Sequence, residues 1–540
     1  MNSEKKIKIP KKIKVEISTP IDIYYNKYII FILGFSLSLI SVIAFIYYYK
    51  NGLGLAYNDA RSHLDIGRRV VEGLHTGFAQ LGSVWLPLTH LLMILTIWND
   101  FMWHSGLSGA IQSMAAFVAT GLLIYMFLRE MEVGMLGRLV GVILFAANIN
   151  VLYLQSTAMT ELMLLGTMTA GAYHLLRWFK TEALIYFLYS AFFIMLATLV
   201  RYDAWFMLFF SSAMIGFYLF KKYDYSRAEG FFVLFFTLGG FGIFLWFLWN
   251  AVIFKDPLYF AFGPYSAHTQ QDQLESAGAL PTKGDWLYSL RMYAYALAYN
   301  IGAFTLFLGL ASAIILWLDK KVPKNIRFAT VALVAPLFFN VLALYLGHSV
   351  LYIQGISGET WFNVRYGIMM VPSIAIFVGY LIDRFKPLRP TIIGLLLFVL
   401  FFSFTSQDAV TIDDARVGSS QKNVKEVSGW LRDHTADKKG FILISVASHD
   451  SIIFSSGLPM KKFIHEGSQD YYKNAIENPD LWARWIVVRS YSDGDSTWRG
   501  IKDKPGFQRY NLVDHYPFAD IYELKPEFID NLRTDIVSDK

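Results

Sequence analysis

Residues 57–69 read Tyr57-Asn58-Asp59-Ala60-Arg61-Ser62-His63-Leu64-Asp65-Ile66-Gly67-Arg68-Arg69. They follow an apolar run, about Tyr28–Tyr49, that is long enough to cross a bilayer, which takes roughly 20 residues. A chain that belongs mostly in lipid here places two Asp, one His and three Arg within a dozen residues or so. Residues four apart share a helix face, so Asp59 and His63 lie on one side if the stretch is helical. A helix cap at Asn58 or Asp59 explains one polar residue. It leaves the His, the second Asp and the Arg cluster unexplained.

Bulk composition fixes the setting. The chain has 540 residues, 55% of them hydrophobic, 17% aromatic and 17% charged. Soluble domains carry about 25% charged residues. Several apolar runs reach spanning length, so the fold class is an α-helical polytopic membrane protein. Residues 1–27 hold seven Lys against Glu4, Glu16 and Asp22, a net +4, which reads as a basic cytoplasmic tail. The overall +6 does not point to nucleic acid. With no Cys, disulfides and thiol-bound metals are excluded. No P-loop, dinucleotide fingerprint or zincin motif is present.

The apolar runs place spans at about 28–49, 106–128, 138–154, 161–178, 184–200, 204–220, 230–253, 297–318, 328–347, 366–383 and 391–406, about eleven in all. Gly82–Asn99 is apolar but short and contains Pro87, and reads as re-entrant or interfacial. If it does not span, the loops 129–138, 177–182, 221–227, 320–327 and 384–389, all with Lys or Arg, fall inside, as the positive-inside rule requires. The expected organisation is a basic tail (1–27), a transmembrane domain (28–406) with a loop at 50–105, and an extracytoplasmic α/β domain (407–540). In that last region strand-like runs such as 441–446 and 485–489 alternate with helix-like ones such as 423–434 and 469–477.

This topology gathers the unusual residues on one side. Asp59 and His63 lie in the first outer loop and Glu161 opens a Leu-rich segment. Arg201 and Asp203 share a tight turn. His268 sits in a long loop, about 255–285, and Glu359 and Arg365 in another, 348–365. Each has a plain alternative. Glu161 is an acid at a helix start, Arg201 and Asp203 pair with each other, His268 is a solvated loop residue, and Arg365 snorkels from a helix end. The functional reading takes Asp59 and Glu161 as catalytic, Arg201 and Arg365 as phosphate binders, and His63, Asp203, His268 and Glu359 as supporting. A divalent metal at Glu161 and His268 suits their chemistry.

The order of these motifs resembles the C-type membrane glycosyltransferases, in particular glycosyltransferase family 39, the protein O-mannosyltransferases, and its bacterial relatives, the lipid A aminoarabinose transferases. The residues that carry the resemblance are Tyr57-Asn58-Asp59-Ala60-Arg61, Met159-Thr160-Glu161-Leu162, Leu199-Val200-Arg201-Tyr202-Asp203 and Arg365-Tyr366 with Pro372. Two departures stand beside them. The family's Asp-Glu pair is Asp59-Ala60 here, and the Trp-Trp-Asp signature of oligosaccharyltransferases is missing. The resemblance implies a GT-C fold, a polyprenyl-phosphate-linked sugar as donor, an extracytoplasmic acceptor and transfer with inversion. Asp59 would serve as base and the arginines would stabilise the leaving phosphate. Two rivals are a transporter or lipid flippase, which calls for repeated halves and mid-membrane charges, and a non-enzymatic scaffold or receptor, which leaves the membrane-edge acids unexplained.

Overall fold

The computed structural model describes residues 20–533, except 264, 265, 277, 407, 408, 418–423, 492, 493 and 518. Most of the basic tail expected at 1–27 lies outside the described residues. The chain begins with α1 (Pro20–Lys50), then the short helices α2 (Asn58–Val71), α3 (Leu88–Met93) and α4 (Asp100–His104). The helical body continues through α5 (Leu107–Glu130), α6 (Met135–Ala146), α7 (Ile149–Leu154), α8 (Glu161–Thr181), α9 (Leu184–Thr198), α10 (Asp203–Lys222) and α11 (Tyr225–Phe254). The small helices α12 (Tyr259–Phe262) and α13 (Ala267–Ser276) lead to α14 (Trp286–Ile301), α15 (Ala303–Leu318), α16 (Lys324–Ala329), α17 (Ala335–Tyr345), α18 (Val371–Arg384) and α19 (Arg389–Ser406). Then α20 (Val410–Val417), α21 (Lys425–Thr435) and α22 (Val446–Ser456) join the body to a C-terminal sheet.

Among the described residues seven helical stretches are long and apolar enough to cross a membrane, and the bent pair α14–α15 makes an eighth. The protein is therefore multi-pass. Four of the eleven expected spans differ for local reasons. The run 138–154 is broken at Asn148, whose side chain accepts from Val151 N and caps α7. That leaves α6 at 12 residues, about 18 Å against a core of roughly 30 Å. α9 has only 15 residues. α8 is long but carries Glu161, His174, Arg177 and Lys180. The run 297–318 turns by 110° between α14 and α15, at Gly302, whose φ of +84° favours glycine. Gly82–Asn99 forms the six-residue α3 and turns, too short to cross as a helix.

Burial orders the helices. Inside α18, Val371–Ile382 are all buried, while α1 and α19 expose rows of Phe, Ile, Leu and Tyr. A helix apolar all round is either core or lipid-facing, and α18 is the core while α1 and α19 are the rim.

The C-terminal sheet has five strands, β1 (Phe441–Ile444), β2 (Phe463–Ile464), β3 (Ala483–Val488), β4 (Tyr510–Tyr516) and β5 (Ala519–Leu524), in the order β2-β1-β3-β5-β4. β1 runs parallel to β2 and β3, while β5 runs antiparallel to β3 and β4. The carboxyl ends of the three parallel strands therefore share one edge. That edge abuts the helical body. α22 packs on α2, with Arg69 Nη1 2.8 Å from Asp450 Oδ1.

Candidate active site

Three of the helices that border the cavity begin with an acid in their first turn: Asp59 in α2, Glu161 in α8 and Asp203 in α10. A carboxylate suits the positive end of a helix, which accounts locally for each. Their convergence is tertiary. Arg201 immediately precedes α10, and Arg365 opens a 3-10 turn, Val364–Met370, that feeds α18. Gly367 lets this turn press onto α14, since a Cβ there would lie 2.2 Å from Ala296 O. Asn300 Nδ2 donates to Val364 O at 2.8 Å and fixes the same turn.

The result is a ladder of acids and guanidiniums. Arg365 donates from Nη2 to Asp59 Oδ2 at 2.8 Å and from Nε to Glu161 Oε1 at 3.0 Å. Arg201 Nη1 reaches the same Glu161 oxygen at 3.2 Å, and its Nε reaches Asp203 Oδ2 at 3.3 Å. Arg365 Nη1 points to Asp414 Oδ2 at 3.6 Å. Tyr57 OH donates to that Asp414 oxygen at 3.1 Å and to Thr411 O at 2.8 Å. Burial and the adjacent Asp414 push the Tyr57 phenol far up, so it stays a donor. The guanidiniums of Arg365 and Arg201 also lie 4.9 Å from the Tyr57 ring and 5.0 Å from the Tyr366 ring, respectively.

The ladder grades from buried to open. The Glu161 and Arg365 side chains are 0% and 5% exposed, whereas Arg201 is 18% and Asp59 35% exposed. Asp59, Arg201, Asp203 and Arg365 line a cavity of about 840 Å³, within the range of small-molecule sites. Arg201 Nη2 and Asp59 Oδ1 have no protein partner among the described residues. Arg365, by contrast, is spent on three carboxylates. Its Nη1 makes no hydrogen bond but is buried, so of the two arginines expected to bind phosphate Arg201, 18% exposed against 5%, is the one with an accessible donor.

The other expectations divide. Asp203 is in the cavity wall, holding Arg201. His63 also lines the cavity, but its Nδ1 meets His90 Nε2 at 2.8 Å and its ring lies 4.3 Å from Trp85. Among the described residues its ring makes no hydrogen bond to the Asp59 carboxylate. Burial, with Arg201 and Arg365 nearby, holds it down to about 3, so it is neutral. His268 is half exposed on α13 and pairs with Asp272 at 3.1 Å. Glu359 is exposed. Neither His268 nor Glu359 lines the cavity. Of the other charges of α2, Asp65, Arg68 and Arg69, which a solvated far face of the helix would expose, are instead buried, at 0%, 7% and 8% exposed. The C-terminal region covers that side, through Asp450 on Arg69 and Met460 N on Glu72.

The proposed metal pair fares poorly on its donors. Glu161 Oε1 is shared by two guanidiniums, and His268 is engaged elsewhere. Among the described residues no three His, Asp or Glu are grouped as a metal would need.

Sequence reading missed Asp414, Tyr57 and the cavity residues of the C-terminal region, Asp450, His465 and Glu466. For Asp414 a signal existed. Asp414 lies four residues after Val410 and so shares a helix face with an apolar residue, the setting of a buried side chain.

No protein-family profile matches the sequence, and no characterised protein does. Solved structures share its fold. One is ArnT from Cupriavidus metallidurans bound to undecaprenyl phosphate, with TM-score 0.54 and 9% identity over 90% of this chain and 98% of that one. The apo state of the same protein gives 0.52 at 10% identity, with the same coverage. The apo oligosaccharyltransferase of Archaeoglobus fulgidus gives 0.50 at 12% identity over 91% of this chain and 73% of that one. Both proteins are membrane glycosyltransferases of the GT-C fold. At such identities the likeness shows the fold, and the chain has the GT-C fold.

Proposed function

We propose that the chain is a membrane glycosyltransferase that moves a sugar from a polyprenyl-phosphate donor to an acceptor, with inversion. The observation that carries this reading is the pairing, in one cavity, of a guanidinium with a free donor, Arg201, and a carboxylate with a free oxygen, Asp59. The fold supports it, since ArnT of that fold was solved bound to undecaprenyl phosphate.

The chemistry follows from the ladder. An acceptor hydroxyl or amine attacks the anomeric carbon while the bond from that carbon to the phosphate oxygen breaks. The acceptor proton passes to Asp59 Oδ1. The polyprenyl phosphate leaves with the bonding electron pair, and Arg201 Nη2, beside the positive end of α10, meets the charge it gains. Arg365 is a positioning residue. It holds Asp59 at Oδ2, so that the free oxygen is the one presented to the acceptor. Glu161 keeps both guanidiniums in register from beneath. Gly82–Asn99 and the exposed helix faces would take the prenyl tail. By the positive-inside reading this chemistry lies on the extracytoplasmic face of the cell membrane, with residues 407–540 on the same side.

The test uses the purified chain in nanodiscs with radiolabelled undecaprenyl-phosphate sugars. Arg201→Gln should raise the donor KM about 10–100-fold, the value of a charge-assisted hydrogen bond of ~1.5–3 kcal/mol. Free undecaprenyl phosphate should compete with donor in the parent and much less in the variant. An unchanged donor KM in Arg201→Gln, or no turnover of any polyprenyl-phosphate sugar by the parent, overturns the reading.

A further inference from the structure

The cavity carries a charge pattern that donor binding does not use. Among the described residues four carboxylates line it: Asp59, Asp203, Asp450 and Glu466. Three have an arginine that also lines it. Asp59 pairs with Arg365, Asp203 with Arg201 and Asp450 with Arg69. Glu466 has no cationic partner among the described residues, and no Lys lines the cavity.

Glu466 is nonetheless held firmly. Its Oε1 accepts the hydroxyls of Ser445 and Ser496, each at 2.5 Å, and its Oε2 accepts Val446 N at 2.9 Å. Three donors satisfy the carboxylate's lone pairs but bring no positive charge to it. Its neighbour His465 supplies no charge either. Burial, with Arg69 nearby, holds that imidazole down to about 3, and its Nδ1 accepts Gly467 N at 3.1 Å. Capping α22 accounts for the contact with Val446 N. It does not account for the carboxylate's place on the cavity wall.

Topology gives the position meaning. Glu466 follows β2, Ser445 follows β1, and Ser496 lies beyond the end of β3. The carboxyl ends of parallel strands are where α/β sheets bind ligands. Here that edge forms one wall of the cavity that holds Asp59. We infer that Glu466 is a specificity residue for the acceptor, and that the acceptor presents a protonated amine to it beside the attacking hydroxyl. This rests on the glycosyltransferase reading for the identity of the ligand as an acceptor. The pattern divides the cavity into an end that welcomes a phosphate, at Arg201, and a wall that repels one, at Glu466. A phosphate-bearing or carboxylate-bearing group is thereby disfavoured on the acceptor side.

The experiment uses the full chain in nanodiscs at neutral pH and one pair of probes, 2-aminoethyl glucoside and its N-acetyl derivative. They share a hydroxylated skeleton and differ by one charge. Binding is measured by competition and by thermal shift. The parent should bind the amine about tenfold more tightly, equivalent to about 1.4 kcal/mol. Glu466→Gln should bring the two within about twofold. Ala447→Lys places a cation on the same exposed stretch of the wall without touching the Ser445–Glu466–Ser496 bonds, and should do the same. It keeps the test sound if Glu466→Gln disturbs the fold. Asp59→Asn should retain the preference. Equal binding of both probes to the parent, or an unchanged preference in both wall variants, overturns the inference. If Asp59→Asn keeps full transfer while the preference behaves as expected, the base assignment falls and the subsite stands.

Discussion

Asp59→Asn separates chemistry from stability. The substitution keeps the shape of the side chain and an oxygen for Arg365 Nη2, and removes the charge and the proton acceptor. The ion pair lost, at 2.8 Å, is worth ~6 kcal/mol at an effective dielectric near 20. A third of the Asp59 side chain faces solvent, 35%, and Arg365 keeps Glu161. Screening and the surviving hydrogen bond bring the expected loss of stability to ~1 kcal/mol. The loss of a general base is far larger, about 10²–10⁴-fold in kcat, or ~2.7–5.4 kcal/mol of barrier at 1.36 kcal/mol per decade. The assay is single-turnover transfer from a radiolabelled polyprenyl-phosphate sugar, run beside a thermal-unfolding curve on the same nanodisc preparation. The expected result is a collapse of kcat with donor KM within about threefold and a Tm shift of a few degrees. A variant that folds like the parent and transfers at more than half its rate refutes the role given to Asp59. A variant that loses activity only because it unfolds refutes the grading of the ladder from buried to open.

Two further outcomes follow from the same geometry. Glu161→Gln leaves two buried guanidiniums facing a neutral amide and should cost ~3–5 kcal/mol, read as a Tm loss clearly larger than that of Asp59→Asn. A loss equal to or smaller than that of Asp59→Asn removes Glu161 from the base of the ladder. His63, His90 and His465 are buried and held below the usual histidine range, so each contributes stability that is complete above pH 6.5 and is lost as pH falls, down to about 3 for His63 and His465. Each steepens acid unfolding by ~1.4 kcal/mol per pH unit in that window. Asp65 and Asp450, both raised by burial, act in the opposite sense, their stability being lost as pH rises. His63→Asn should remove one of the three histidine contributions, about 1.4 kcal/mol of acid destabilisation per pH unit, measured as Tm against pH. An unchanged slope shows that His63 titrates normally.

How far the sequence could be read depends on the range of the physics. Periodicity and run length are local, and they place α1, α5, α10, α11 and α18 close to where they lie. They fail where a single residue interrupts a run, as Asn148 and Gly302 do, because an apolar window registers no break. Candidate acids at helix starts were legible for the same local reason. Their partners were not. Glu161 was expected near His268 and lies instead against Arg201 and Arg365, 40 and 204 positions away. Nothing in the spacing encodes that. The charges of α2 show the limit from the other side. Asp65, Arg68 and Arg69 look like a solvated face until α22, some 380 residues later, supplies Asp450.

The ladder also sets a schedule. Asp59 and Arg365 are 306 positions apart. At about 5–20 residues per second of synthesis, the carboxylate emerges roughly 15–60 s before its guanidinium. Through that interval Asp59 and Glu161 stand at helix starts with no arginine from the turn before α18. Glu161 is covered first, when Arg201 arrives 40 residues on. Asp59 waits for the whole of α10 to α17, and Arg365 waits in turn for Asp414. Until Arg365 has emerged, the nascent membrane domain holds Asp59 without its cation. The arrival of Asp414 closes the network and locks α2, α8 and α18 together, so the maturation of this protein has a late, discrete step written into the order of its charges.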